Sequence, residues 1–282
     1  MKFIPDLEKL SSATERLRRL KRSIGFVPTM GALHAGHFSL IKQARKENDI
    51  VVVSIFVNPA QFGAGEDFKK YPRSFKSDVE SCRKLGVDFV FLPDKKDMYP
   101  KEYATFVNVE GLSDLLCGLN RPGHFRGVAT VVAKLLNIIQ PDTLYLGQKD
   151  AQQAIIIARM VKDLNFSVKV KVLPIVREKD GLALSSRNAY LSKNERAGAA
   201  VLFKALQLAE ALISNGQRDT ARLISRMKQL IEKNKQAKID YVAILDPEQL
   251  REIKKVKPGS LIALAVKIGK TRLIDNITIG CA

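Results

Sequence analysis

Only three histidines occur in the 282 residues, and two of them, His34 and His37, fall within Pro28-Thr29-Met30-Gly31-Ala32-Leu33-His34-Ala35-Gly36-His37. The run Ile24-Gly25-Phe26-Val27-Pro28 predicts a strand just before it, and a helical pattern follows from about Gly36 to Glu47. Imidazoles three apart around a helix start can face one ligand. The amides and dipole of that first turn favour an anion such as phosphate. Gly31 would let the backbone turn tightly, and Gly36 would let a ligand come close to the chain. The chemistry expected is hydrogen-bond donation to phosphate oxygens as charge builds in a transition state. The plain alternative is two polar residues at a surface turn. A zinc site with His124 as third ligand is a further alternative, but the usual spacing is absent and no cysteine lies close in sequence.

A second cluster, Gly147-Gln148-Lys149-Asp150-Ala151-Gln152-Gln153, also stands at a predicted strand end leading into a helix. Lys149 offers a compact positive charge for phosphate. Asp150 could accept from a ribose hydroxyl or hold magnesium through water. Gln153, four beyond Lys149, is expected on the same helical face. A third cluster is Leu184-Ser185-Ser186-Arg187-Asn188, after Arg177-Glu178-Lys179-Asp180-Gly181. Two hydroxyls and a guanidinium suit a loop closing over polyphosphate, although turn and cap roles suit the serines equally. Asn58-Pro59-Ala60-Gln61-Phe62-Gly63 leaves another predicted strand with an amide flanked by aromatics, able to orient a small polar acid. Gly269-Lys270-Thr271 ends like a P-loop, but Leu264 stands where that loop requires glycine.

These segments need a frame, and the chain supplies one. Ile50 to Val57 is nearly continuous apolar, as for a strand buried on both faces. Asp88 to Leu92, Thr143 to Leu146 and Val168 to Val172 predict further strands. Val128, Val131, Val132, Leu135, Leu136 and Ile139 form a helical stripe, as do Ala154, Ile157, Ala158, Val161 and Leu164. The alternation argues for an α/β, Rossmann-like doubly wound parallel sheet, whose ligands sit beyond the carboxyl ends of the strands. After about Val176 the pattern changes to two helical stripes, Leu202 to Ile213 and Leu223 to Ile231, followed by strands at Ile239 to Leu245 and Leu261 to Ile268. The expected organisation is a domain over 1–176 and a smaller α+β domain over 177–282.

Composition narrows the class. The apolar share is 46% and the charged share 27%, which allows a sizeable core. No run approaches the ~18 apolar residues of a membrane span, and the N-terminus lacks a secretory pattern. Cys82, Cys117 and Cys281 are odd in number and far apart, which predicts a reducing, cytoplasmic setting and no disulfide framework. The net charge of +18 attracts phosphates of any kind. Its lysines and arginines are dispersed, and Arg16 to Arg22 and Lys228 to Lys238 read as solvated helix faces, so neither a nucleic-acid partner nor a membrane is expected.

In their order, Val27 to His37, Asn58 to Phe62, Arg121-Pro122-Gly123-His124-Phe125-Arg126-Gly127, Gly147 to Gln153, Asp180 to Leu191 and Arg272-Leu273-Ile274-Asp275-Asn276, these segments resemble the pantothenate synthetase (pantoate–β-alanine ligase) family of the nucleotidylyltransferase superfamily. The resemblance runs from about Ile24 to Asn276. Its His-x-Gly-His signature is His34-Ala35-Gly36-His37. The resemblance implies that pantoate and ATP form pantoyl adenylate and pyrophosphate, and that β-alanine then releases pantothenate and AMP. It implies ATP as co-substrate with Mg2+, whose protein ligands stay unknown, and a homodimer. Met30, Gly31, Ala32, Leu33, His34, Ala35, Gly36, His37, Gly147, Gln148, Lys149 and Asp150 would hold ATP, with the backbone near Val176 against adenine. Leu184, Ser185, Ser186 and Arg187 would grip the triphosphate. His34, His37 and Lys149 would stabilise charge at the α-phosphate, with His37 the favoured proton donor. Gln61, Gln153 and Asn58 would meet pantoate, Gln61 also touching β-alanine. A plain nucleotidylyltransferase, leaving AMP on its product, is the alternative within the superfamily.

Overall fold

The structure, a computed structural model, describes residues 1–280. Its chain clusters into two compact units: Met1–Gly147 with Gln153–Pro174, and Gln148–Gln152 with the chain from Ile175 onward.

The first unit is built on a six-stranded sheet: β1 (Lys2–Ile4), β2 (Ile24–Thr29), β3 (Ile50–Ile55), β4 (Phe89–Phe91), β5 (Thr143–Gly147) and β6 (Lys169–Leu173). The order is β1-β4-β3-β2-β5-β6, and every pairing is parallel. Its helices are α1 (Leu7–Arg19), α2 (Ala35–Glu47), α3 (Phe75–Lys84), the single turns α4 (Lys95–Met98) and α5 (Cys117–Asn120), α6 (His124–Ile139) and α7 (Ala151–Asp163), the first two residues of α7 clustering with the second unit.

Period-two alternation explains why helices cover both faces. Phe26, Val52 and Leu144 point into a core with α1, α6 and α7, through Leu10, Val132, Leu136 and Ile157. Val27, Val51, Val53 and Tyr145 point the other way, against Leu40, Ile41, Ala44 and Cys82 of α2 and α3. This is the doubly wound arrangement expected. Strand order reverses where β2 meets β5, the place where such sheets leave a crevice at their carboxyl ends. Pro28 stands in this central strand without breaking the sheet, because β5 pairs with β2 only at Gly25 and Phe26.

The second unit carries α8 (Lys193–Ala199), α9 (Val201–Ser214) and α10 (Thr220–Glu232) on an antiparallel sheet, β7 (Ala237–Leu245), β8 (Leu261–Ile268) and β9 (Thr271–Thr278). Leu202, Leu206, Leu223, Met227, Val242, Ile244, Leu264 and Val266 fill its core. By length and composition alone, the stretch Lys193–Ser214 is apolar enough to cross a membrane. Its residues Leu202, Ala205, Leu206, Ala209 and Ile213 are buried in that core, as in a packed helix of a globular unit.

Several local expectations change. β9 has no counterpart in the strand pattern, because Arg272 and Asp275 interrupt its apolar run. Gly269-Lys270 is the tight turn joining β8 to β9, with Gly269 at φ +56°. The basic run Arg16 to Arg22 outlasts its helix: α1 closes with Leu20 as C-cap and Lys21 at φ +55°. Likewise α10 ends at Glu232, so Lys235 lies in a turn and Lys238 in β7. Cys82 and Cys117 are buried, and burial pushes the Cys82 thiol up to about 12. Cys281 lies outside the described residues.

Two tests follow from this packing. A methyl group at Gly127 of α6 would stand 2.1 Å from the Ala60 carbonyl oxygen and 2.6 Å from the Gln61 nitrogen, both backbone atoms. Overpacking of this kind costs about 1–3 kcal/mol. Gly127→Ala should lower the unfolding free energy by that amount in a urea titration, and an unchanged midpoint would show that α6 does not bear on this turn. Glu47 of α2 accepts hydrogen bonds from Lys171, Tyr145 and Gln43, which bring its carboxyl from the ordinary 4.5 to about 2. Its folded-state value lies below the unfolded one, so its contribution is complete above pH 4.5 and is lost as pH falls toward 2. The stability difference between about pH 6 and about pH 3 should therefore shrink in Glu47→Gln. An identical difference in both proteins would contradict this linkage.

Candidate functional site

The turn after β2 is held from below. Thr29 donates its hydroxyl to the Ser54 carbonyl at 2.7 Å and accepts from the Gly31 amide at 3.2 Å. Gly31 (φ +86°) and Ala32 (φ +50°) then both take left-handed conformations. Such a run turns successive amides inward as an anion-binding nest. An internal carboxylate fills it: Asp78 of α3 accepts from Ala32 at 2.9 Å and Leu33 at 2.7 Å. Asp78 is 1% exposed. Burial raises its pKa, with the two amides opposing the shift.

Two further amides at the start of α2, those of His34 and Gly36, are also engaged within the protein, so these two do not point at a ligand. The His34 amide donates to His37 Nδ1 at 3.3 Å, and the Gly36 amide donates to His34 Nδ1 at 3.2 Å. Each imidazole accepts at Nδ1, so each is neutral there and carries its proton on Nε2. The rings lie 4.1 Å apart between centroids. Gly36 serves these rings rather than a ligand's approach, since a Cβ there would stand 2.9 Å from His34 Cε1. The backbone thus prepares two Nε2–H donors side by side.

Met30 and the 3-10 turn Pro59–Gln61 belong to the same unit. Gln61 Nε2 lies 3.1 Å from Met30 Sδ, and Gln61 Oε1 accepts from Asn58 Nδ2 at 3.0 Å. Asn58 also donates to the Gly127 carbonyl at 3.1 Å and accepts from the Tyr99 hydroxyl at 2.8 Å. The Gln61 carbonyl is contacted at 2.8 Å by His124 Nδ1 and accepts from Arg121 Nη2 at 3.3 Å. Arg121 Nη1 lies 2.9 Å from His124 Nε2, and the same guanidinium grips both oxygens of Glu66 at 2.8 and 2.6 Å. Burial works against charge on Glu66, but Arg121 outweighs it and the carboxyl falls below its ordinary range. His124 therefore has both ring nitrogens engaged within this network. Among the described residues no three His, Cys, Asp or Glu side chains gather as metal ligands.

In the second unit, Lys149 and Asp150 lie in the 3-10 turn Gln148–Asp150, with Nζ 3.4 Å from Asp150 Oδ1. Lys149 lies in the 3-10 turn that immediately precedes α7, and Gln153 is the third residue of α7. Gln153 clusters with the first unit. The Leu184 amide donates to the Val176 carbonyl at 3.0 Å, closing a short hairpin. Beyond it Ser185 caps the 3-10 helix Ser186–Tyr190 by accepting from the Arg187 amide at 3.3 Å. Ser185, Ser186 and Arg187 are half-buried, as are Gln148, Lys149 and Asp150.

The sequence marked His124 as a metal alternative and, like Asn276, as part of a family segment without a role, and it singled out neither Asp78 nor Glu66. Asp78 had a readable signal: with Cys82 it shares the buried stripe of α3, where a carboxylate calls for a specific partner.

Comparison with known proteins supports the motif pattern. A family model described as pantoate-beta-alanine ligase matches residues 2–278. Curated proteins named pantothenate synthetase include one from Heliobacterium modesticaldum, 53% identical over 279 residues and 99% of each chain. Another, from Caldicellulosiruptor saccharolyticus, is 50% identical over 279 residues and 99% of each chain. Among solved structures, pantothenate synthetase from Thermus thermophilus superposes with a TM-score of 0.94 at 43% identity, over 99% of each chain. Pantoate-beta-alanine ligase from Francisella tularensis, complexed with beta-gamma ATP and beta-alanine, gives 0.81 at 38% identity over 99% of this chain and 97% of that one. With its signature residues in place and a match along nearly its whole length, the chain belongs to the pantoate–β-alanine ligase family.

Proposed function

We propose that the protein is an ATP-dependent ligase that condenses pantoate with β-alanine to give pantothenate, AMP and pyrophosphate. The observation that carries this reading is the pair of imidazoles whose Nδ1 atoms are held by backbone amides, which puts the proton of each ring on Nε2 for donation to a phosphoryl group. In the first step a pantoate carboxylate oxygen attacks the α-phosphorus of ATP, and the bond to pyrophosphate breaks. In the second, the β-alanine amine attacks the acyl carbon of pantoyl adenylate, loses its proton and expels AMP. No bond to the enzyme forms.

His37 and His34 donate to the α-phosphate oxygens, where negative charge grows as the attacking and leaving oxygens share phosphorus. Lys149 adds a point charge there. Ser185, Ser186 and Arg187 grip the β- and γ-phosphates, the planar guanidinium suiting paired contacts to oxygens. Met30 through His37, Gly147 through Asp150, Val176 and Leu184 bound the nucleotide. Gln61, Asn58 and Gln153 orient pantoate; with Gln61 Oε1 accepting from Asn58 and one Gln61 N–H directed at Met30 Sδ, the second N–H of that amide serves as donor. Mg2+ would neutralise charge on the triphosphate, and Asp150, a half-exposed carboxylate beside Lys149, would hold it through water. A homodimer in the cytoplasm, serving pantothenate biosynthesis, is part of the same proposal and rests on the family resemblance.

The decisive experiment mixes protein, Mg-ATP and pantoate without amine. Pyrophosphate should be released and AMP should not, until β-alanine is added. Free AMP without amine, or no pyrophosphate at all, would refute the two-step ligase. In that assay Lys149→Ala, His37→Ala and Arg187→Ala should each fold and lose ~10²–10³ in turnover, the usual loss for one transition-state donor. Turnover within a fewfold of the parent in all three would remove these residues from the site. Gln61→Ala should raise KM for pantoate far more than KM for ATP, and equal increases would place Gln61 outside the acid pocket.

A further inference from the structure

The block Arg272 to Asn276 marks the chain as a family member but has no chemical part in the reaction above. In β9 it places two polar side chains in succession, Asp275 and Asn276, at 2% and 3% exposure. Neighbouring strand residues face opposite ways, so both sides of β9 bury a polar group, and each must be fully bonded to be tolerated. Asp275 accepts two parallel bonds from Arg177, at 2.7 and 2.9 Å, and one from the Asn276 amide at 2.8 Å. Arg177 also donates to the Gly181 carbonyl at 2.9 Å, within the hairpin that leads to Ser185 and Arg187. Asn276 turns to the other loop: its Nδ2 donates to the Gln148 carbonyl at 2.9 Å and the Lys149 carbonyl at 3.1 Å. Its Oδ1 meets Gln148 Nε2 at 3.4 Å.

We propose that Asn276 is a positioning residue for Lys149, and that the Asp275-Asn276 pair sets the spacing between the Lys149 turn and the Arg187 loop. One planar amide carries two N–H groups a fixed distance apart, and here both go to successive carbonyls of the turn that presents Lys149. Aspartate at 276 would offer neither donor. Glutamine would carry the amide one methylene too far. Both the 3-10 turn Gln148–Asp150 and the 3-10 helix Ser186–Tyr190 pack on β9, so this strand is the common footing of the two cationic segments within the second unit. The inference rests on the reading of Lys149 as a donor to the transition state.

A double-mutant cycle tests it, with pyrophosphate release from Mg-ATP and pantoate as the readout. Asn276→Ala should lower kcat by ~10–10²-fold, the scale of a misplaced catalytic group, with KM for pantoate within about twofold. In the Lys149→Ala background the same substitution should change kcat by less than about threefold, because the group it positions is gone. Equal losses in both backgrounds, or parental kcat in Asn276→Ala, would overturn the proposal while leaving the Lys149 assignment intact. Parental turnover in Lys149→Ala alone would overturn that assignment and the proposal with it. Should Asn276→Ala show no cooperative melt, Asn276→Ser, whose hydroxyl retains one donor, runs the same cycle with the same criteria.

Discussion

The buried carboxylate of Asp78 fixes the turn from which both histidines project. Two consecutive left-handed residues are unfavourable, the more so because Ala32 is not glycine, and the turn persists because two amides close on one anion. With those amides occupied, the chain enters α2 at a set angle, and the first helical amides find the imidazole Nδ1 atoms instead of solvent. Proton placement on the two rings is therefore a consequence of backbone geometry. An enzyme that must donate to phosphate gains by having this decided before the nucleotide arrives, since no reorganisation is then needed during the reaction.

A similar economy governs the other loops. The Gln61 carbonyl is met by His124 and Arg121, and Arg121 is in turn held by Glu66. Arg177 steadies the hairpin before Ser185 through Asp275. In the first case neighbours hold the Gln61 backbone itself, and in the second they hold the hairpin ahead of Ser185 through the Gly181 carbonyl.

Much of this was readable in the residues. Ile50 to Ile55 announces a strand buried on both faces, and the stripe of α6 is unambiguous. Two histidines three apart at a strand-to-helix turn were legible as a pair, and their rings do lie side by side, 4.1 Å between centroids. What could not be read depends on distance along the chain or on compensation. Asp78 lies 46 residues from the amide of Ala32 that it binds. β9 hides because a buried aspartate looks like a loop signal until Arg177 is placed against it. Local patterns record periodicity well, but they do not record which distant group neutralises a polar side chain.

At Gly127, Ala60 and Gln61 the contact between α6 and the Pro59–Gln61 turn brings main-chain atoms together, and the His124 and Asn58 side chains add hydrogen bonds across it. Any side chain at position 127 would force these backbones apart, so the place of Gln61 is tied to a residue far along the chain that carries no side chain at all.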